Sequence, residues 1–385
     1  MGLKSLFSDF FQSEKSSGIV LIACTVLSLL IANSAWGEGY IHFWETSIGP
    51  YSLEFWINDG LMAIFFLMVG LEIERELYVG ELSSPRQAIL PIVAALGGML
   101  VPAAIHFAFN QGLPTAGGFG IPMATDIAFA LGILSLAGKS VPLALKIFLT
   151  ALAIIDDLGA ILVIAVFYTN DLSLIDLFIA LGIFIGLFVM GKLGVRRLVF
   201  YLIPGVFMWH FLHESGVHAT ISGVLLAFAI PFGGTGADSP SYRLQHALHT
   251  PVAFIIVPLF ALANTGIVLE PQFYNSLLSV NSLGIVGGLF LGKPVGILSF
   301  CWISVRLGWG ALPKQVSWKQ LLGAGMLAGI GFTMSIFITL LAFSDAQTIN
   351  HSKIAILVAS LMSALIGLFY LKRVASTSSP SSSDE

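Results

Sequence analysis

The stretch Ile147–Phe167, IFLTALAIIDDLGAILVIAVF, is 21 residues long, and its only charges are two adjacent carboxylates, Asp156 and Asp157. A helix of about 20 apolar residues crosses the hydrocarbon core of a bilayer. A carboxylate at that depth costs at least about 2.5–3.5 kcal/mol even on the lenient insertion scale. Two in succession call for a wet cavity, a cation, a proton or a basic partner. The rest of the chain reads as the means of supplying these.

The 385 residues are 57% hydrophobic and 10% charged, against roughly 25% charged in a soluble domain. Apolar runs near 20 residues recur along the chain, which predicts an all-α polytopic membrane protein. Backbone polar groups in lipid must be paired internally, and continuous runs without strict alternation exclude a closed barrel. The net charge of −4 says little about partners; the lipid bilayer is one, and neither nucleic acid nor a cofactor is expected. Cys24 and Cys301 both lie in apolar runs, so a disulfide framework or metal cluster is not expected. The 40 glycines and 16 prolines suit close helix contacts and interrupted helices.

Met1–Ser17 is polar with Phe7, Phe10 and Phe11 interleaved, which suits a short helix lying in the interface. Twelve transmembrane helices follow, the first at Gly18–Ser34. The others fall near 57–77, 87–108, 120–137, 142–167, 173–194, 197–212, 216–232, 246–268, 281–303, 319–342 and 351–371. The rival reading of the first span as a signal peptide is disfavoured, because the segment before it is acidic as well as basic. Gly233–Pro240 reads as a flexible loop. The domain reading is one transmembrane unit over 1–372, then a disordered tail over 373–385. Twelve spans put both termini on one side. Of the 17 Lys and Arg, all but Lys353 and Lys293 fall on that side, so both termini are expected in the cytoplasm.

With loops and helix ends set aside, the deep charges are Asp126, Asp156, Asp157 and Lys293; they are the candidate site, with Asp156, Asp157, Asp126 and the neighbouring Thr125 as its cation- and proton-binding residues. Asp126 lies in GIPMATDIAFALG (Gly120–Gly132). Pro122 weakens the helix there, and Thr125 with Asp126 suits the N-cap of a second half-helix. GAGMLAGIGFTMS (Gly323–Ser335) has four glycines in nine residues and no charge, and reads as a second interrupted span. The two are spans 4 and 11, in matching places within repeat units at about 87–167 and 281–371. Paired interrupted spans point to inverted-topology repeats with a midplane site where the two cross.

Lys293 sits in GGLFLGKPVG (Gly287–Gly296). The likeness to a P-loop fails, since Pro294 replaces the required Ser or Thr and no soluble strand precedes it. A deep Lys is better read as counter-ion of a deep carboxylate, or as a proton carrier. Structural pairing could account for one Asp–Lys pair, but three Asp against one Lys leaves negative charge that invites a cation or protons. His218, in HESGVHATISG (His213–Gly223), reads first as a packed or hydrogen-bonded residue. Arg243, Gln245, His246 and His249 begin the ninth span. Its histidines could sense pH, or the group could be a plain positive-inside anchor.

A buried carboxylate can bind a hard cation or protons, and not both at full strength. A site exposed alternately to each side turns that competition into exchange, cation one way and protons the other. The chain offers no nucleotide-binding domain, so a primary pump is disfavoured, and a transporter rather than an enzyme is expected. An intramembrane aspartyl protease needs Gly-Asp and Tyr-Asp contexts that do not occur here. A cation channel would not need broken helices and a buried Lys. A proton-coupled carrier of a small organic solute is the alternative.

ATDIAFALG (Ala124–Gly132), LAIIDDLGA (Leu152–Ala160), WINDGLMAIFFLMVGLE (Trp56–Glu72), HESGVHATISGV (His213–Val224) and LGKPVGI (Leu291–Ile297) resemble the NhaA family of sodium/proton antiporters from about Phe10 to Arg373. The resemblance implies a bacterial inner membrane, export of Na+ or Li+, and electrogenic entry of more than one H+ per cation, serving sodium and pH homeostasis. It implies Asp157, with Asp156, as the central site for Na+ and H+, and Asp156 paired with Lys293 in one state. It puts Thr125 and Asp126 where the broken helices cross, with Asp126 balancing the positive half-helix ends. Relatives dimerise through an outer hairpin for which Ala35–Phe55 looks short, so a homodimer stands beside a monomer. Gln245 replaces an acidic residue of the cytoplasmic pH-sensing cluster, leaving Glu76, His246, His249 and His218 as candidates for pH sensing.

Overall fold

The computed structural model of the chain describes residues 3–138, 141–169, 172–234, 236, 239–269 and 273–377. It is nearly all helix. Among these residues seven helices are long and apolar enough to cross a membrane, or up to ten if each of three bent pairs is one span. Two predicted spans are short: 197–212 becomes Val199–Glu214 and 216–232 becomes Ile221–Ala229. Gly216 takes φ +80° between them, a left-handed stop that ends the first helix without a Cβ penalty.

Three other expectations change. The N-terminal interface helix and the first span form one continuous helix, Leu3–Ala32. The segment 35–55, expected as an outer loop, holds a helix, Gly37–Glu45, and a small antiparallel hairpin pairing Ser47 with Ser52 and Ile48 with Tyr51; Gly49 turns it at φ +68°. The last helix, Ala346–Thr377, runs past the expected start of the tail, and 378–385 lies outside the described residues. In Gly233–Pro240, residues 235, 237 and 238 are likewise outside, and Pro240 already opens the next helix.

The chain divides into two compact units. One comprises Met1–Ile19, Ser84–Asp156 and Pro271–Glu385; the other comprises Val20–Ser83 and Asp157–Glu270. The first unit contains both predicted repeat segments up to Asp156. Its helices Pro85–Asn110 and Lys293–Arg306 touch backbone to backbone: a Cβ at Gly97 would lie 2.3 Å from the Gly296 carbonyl oxygen, and one at Gly296 would lie 2.1 Å from that of Gly97. In lipid the hydrophobic effect does not hold helices together, so small residues that allow close approach do. Gly296→Ala is expected to lower the melting temperature of the detergent-solubilised protein, since overpacking costs about 1–3 kcal/mol. An unchanged melt would show that the contact is not needed.

The second unit has its own apolar core, in which Tyr201, Met208 and Leu212 of Val199–Glu214 meet Leu226 and Ala227 of Ile221–Ala229 and Leu67 and Leu71 of Met62–Val79. Cross-chain amide pairing adds to it: Asn264 Nδ2 donates to Asn58 Oδ1 at 2.7 Å, and Asn58 Nδ2 to Asn264 Oδ1 at 3.2 Å.

Candidate functional site

Two of the bent pairs lie in the first unit. Pro114–Met123 and Ile127–Leu136 meet at 45°, and Trp318–Ala328 and Phe332–Ala342 at 46°. Each break frees backbone groups at two helix ends, and at membrane depth water cannot satisfy them. Here the breaks satisfy one another. Asp126 N–H donates to the Ile330 carbonyl at 2.7 Å. The Thr125 hydroxyl lies 2.9 Å from the Ala328 carbonyl, and the Ser335 hydroxyl donates to the Ile121 carbonyl at 2.7 Å. Phe332 N–H donates to Ser360 Oγ at 3.2 Å.

Asp126 is the centre of this exchange. It is the N-cap of Ile127–Leu136, where Oδ1 accepts from Phe129 N–H at 3.0 Å. Its other oxygen serves the other broken pair: Oδ2 accepts from Thr333 N–H at 3.1 Å and from the Thr333 hydroxyl at 2.5 Å. One carboxylate therefore caps two helix N-termini, where a negative charge suits both dipoles.

Beside this crossing is an ion pair. Lys293 opens the helix Lys293–Arg306 and is fully buried, as is Asp156. Lys293 Nζ donates to Asp156 Oδ2 at 2.5 Å and to Thr125 Oγ1 at 2.8 Å. The aliphatic stem passes Gly98, where a Cβ would lie 3.7 Å from Lys293 Cδ. Thr125 Oγ1 lies 2.7 Å from Asp156 Oδ2. A hydroxyl has one proton, so Thr125 accepts from the ammonium and gives its proton either to Asp156 or to Ala328. It links the ion pair to the second break.

Asp156 Oδ1 is buried with no hydrogen-bond partner among the described residues, so one anionic oxygen is available for a proton or a hard cation. No three His, Cys, Asp or Glu side chains converge among the described residues. A cation here would be held by carboxylate, hydroxyl and carbonyl oxygens, not by an acidic cluster. Asp157 follows on the same helix, Leu143–Phe167, and is 1% exposed. Successive helical residues point about 100° apart, so the two carboxylates diverge from adjacent points of one turn.

The other candidates lie in the second unit. Glu76 accepts from Arg75 Nη2 at 3.0 Å and from Glu81 N–H at 3.0 Å. His246 is exposed, its ring stacked on Tyr242 at 6.4 Å between centroids. His249 is half-buried and Gln245 is buried. His218 Nε2 lies 2.8 Å from the Tyr168 carbonyl. Burial, and after it the Glu76 carboxylate, push Glu81 above the usual carboxyl range.

Reading the sequence missed Thr333, Ser335 and Ser360. The first two stand directly behind the glycines of the second interrupted span, and that position was the available signal. It also left out Glu74, a buried carboxylate that accepts from the Ser241 hydroxyl at 2.7 Å.

The family described as Na+/H+ antiporter 1 matches residues 8–371. The Na+/H+ antiporter NhaA of Flavobacterium psychrophilum is 59% identical over 374 residues, covering 97% of both chains. That of Dechloromonas aromatica is 57% identical over 373 residues, 96% of both. That of Escherichia coli strain UTI89 is 50% identical over 375 residues, 94% of this chain and 97% of the relative. A buried Asp–Lys pair beside two broken helices is thus found in a chain that belongs, over nearly its whole length, to the Na+/H+ antiporter 1 family.

Proposed function

We propose that the chain is a secondary transporter that exchanges Na+ for H+ across a bacterial membrane. The observation that carries the reading is the fully buried Asp156, bound by the Lys293 ammonium on one oxygen and, among the described residues, without a hydrogen-bond partner on the other. An ammonium, a proton and a hard cation compete for the same carboxylate. In our reading Na+ enters at Asp156 and Asp157, with the Thr125 hydroxyl as a further oxygen, and displaces Lys293 from Asp156. Protons arriving from the other side restore the pair and expel the cation. Asp126 belongs to the same cation- and proton-binding group and, with its oxygens on two helix N-termini, balances the half-helix ends.

The same reading takes the two bent pairs as spans 4 and 11 of an inverted-repeat fold. The short helices Val199–Glu214 and Ile221–Ala229 complete twelve spans with the ten long enough to cross. The distribution of Lys and Arg supports cytoplasmic termini in the inner membrane, with Na+ or Li+ leaving the cell and external H+ entering, electrogenically. The hairpin at 47–52 supplies the outer element that a homodimer would use. Glu76, His246, His249 and His218 are proposed as the groups through which cytoplasmic or external pH acts.

The test is the internal pH of proton-loaded everted vesicles on addition of Na+, Li+ or K+. A cation-selective collapse of the gradient supports exchange. No collapse at any pH, with the protein shown to be present, would overturn the reading and favour a solute carrier.

A further inference from the structure

The helix that carries Lys293 is not α-helical throughout. Between Val280–Val286 and Lys293–Arg306 the chain makes one wide π-turn, Gly287–Gly292. The backbone N–H of Lys293 itself closes it, bonding to the Gly288 carbonyl five residues back. Pro294 comes next. In an α-helix its ring would press on the Phe290 carbonyl, and it has no N–H to offer that oxygen. Widening the turn relieves the clash. Such turns are rare and concentrate at functional sites.

We infer that the turn Gly287–Gly292 is the positioning element of Lys293, with Gly288 and Pro294 as the positioning residues that hold the ammonium on Asp156. The neighbours of the turn make it responsive to both broken helices. A Cβ at Gly288 would lie 2.7 Å from Pro122 Cβ and 3.1 Å from the Pro102 carbonyl oxygen, so one side is pressed on the first broken pair. On the other side a Cβ at Gly329 would lie 2.4 Å from the Leu289 carbonyl oxygen, and one at Gly325 would lie 3.1 Å from Pro294 Cα. Gly329 is at the second break, and Gly325 is in the half-helix before it.

The segment held between the two broken pairs, from Gly288 to Pro294, thus includes Lys293. Converting one π-turn to α shifts the following residues by about one position, or about 100° of rotation. That takes a side chain from Asp156 to a different face. A movement of either broken helix against Pro122 or Gly329 is passed to Lys293 through this turn.

The inference rests on the exchange reading for its consequence in transport, but not for its geometry. Pro294→Ala restores an N–H that can reach the Phe290 carbonyl, and Gly288→Ala puts a methyl against Pro122. Each is made in the full chain and tested in everted vesicles for the Na+ concentration at half-maximal gradient collapse across pH 6.5–9. Solubilised protein is melted alongside. We expect folded protein, an optimum moved by about one pH unit, and a several-fold change in the Na+ requirement, because the Lys293–Asp156 contact competes with both ions. Val295→Ala, on the lipid-exposed side of the same helix, should leave the profile unchanged.

A structure of Pro294→Ala should show Lys293 Nζ out of hydrogen-bond reach of Asp156. If both variants keep the wild-type profile, or the Pro294→Ala structure keeps the contact, the inference is wrong. If neither variant folds, hydrogen exchange of the wild type decides. Amides 288–293 should exchange faster when Na+ is added at alkaline pH, and no change overturns the inference. Absence of exchange by the wild type in vesicles would instead count against the antiporter reading, and the Nζ distance would still decide the geometry.

Discussion

Asp157→Asn is expected to reduce Na+-driven collapse of the vesicle pH gradient to background at every pH, with the protein still folded. Asp157 is 1% exposed in the middle of Leu143–Phe167, and the amide is nearly the same size. What it loses is the charge. A neutral amide oxygen neither takes up a proton in this pH range nor offsets the charge of Na+ in a low-dielectric site. The contrast with Asp156→Asn separates transport from stability. Asp156 is the ionic partner of a fully buried ammonium, and removing one member of a buried pair costs about 3–5 kcal/mol. Asp156→Asn should therefore lose both exchange and thermal stability, while Asp157→Asn loses exchange alone. Melting curves of both solubilised variants, beside the vesicle assay, check this. A wild-type exchange rate in Asp157→Asn would remove Asp157 from the site.

Asp126→Asn is expected to have the second large effect, on folding. The carboxylate uses both oxygens, Oδ1 for Phe129 N–H and Oδ2 for Thr333 N–H and its hydroxyl. An amide has one acceptor oxygen, so whichever way it turns, an NH2 group faces donors at one of the two helix N-termini. Each buried donor left unsatisfied costs about 1–3 kcal/mol, and no water can enter from lipid to replace the bond. Asp126→Ala loses both caps and should be worse. Thr333→Val removes one hydroxyl bond and should cost about 1 kcal/mol. The order Ala, Asn, then Val in loss of melting temperature is the check. A melt of Asp126→Asn within error of wild type would refute the double cap.

Much of the site could be read from the chain, for one physical reason. In a membrane every charged residue is expensive, so Asp126, Asp156, Asp157 and Lys293 stand out against apolar runs. The break near Asp126 was visible in Pro122 and the Thr125–Asp126 cap, and the second break in the glycines of Gly323–Gly331. The same logic failed where polarity is cheap. Thr333, Ser335 and Ser360 are ordinary hydroxyls that a helix can carry without penalty; the glycines just before Thr333 and Ser335 hint at those two, and nothing in the sequence marks Ser360. The expected span 216–232 shrinks to Ile221–Ala229, because after the left-handed stop at Gly216 the backbone does not re-enter a helix until after Thr220. The hairpin at 47–52 is invisible in the sequence because strands of two residues leave no periodicity to detect.

The sequence by itself determined the class of protein, which charges interrupt its apolar runs and the places where its helices bend. Hydrophobic length and the cost of burying charge are local properties, legible in a window of 20 residues. The tertiary structure alone decided which partner each charge takes. Lys293 reaches Asp156 across 137 positions of sequence and Thr125 across 168, and Asp126 reaches Thr333 across 207. It also decided that the turn before Lys293 is wide. Such pairings are fixed by helix packing at close approach, where a glycine or a proline on one helix sets how near a carbonyl or a carboxylate on another can come.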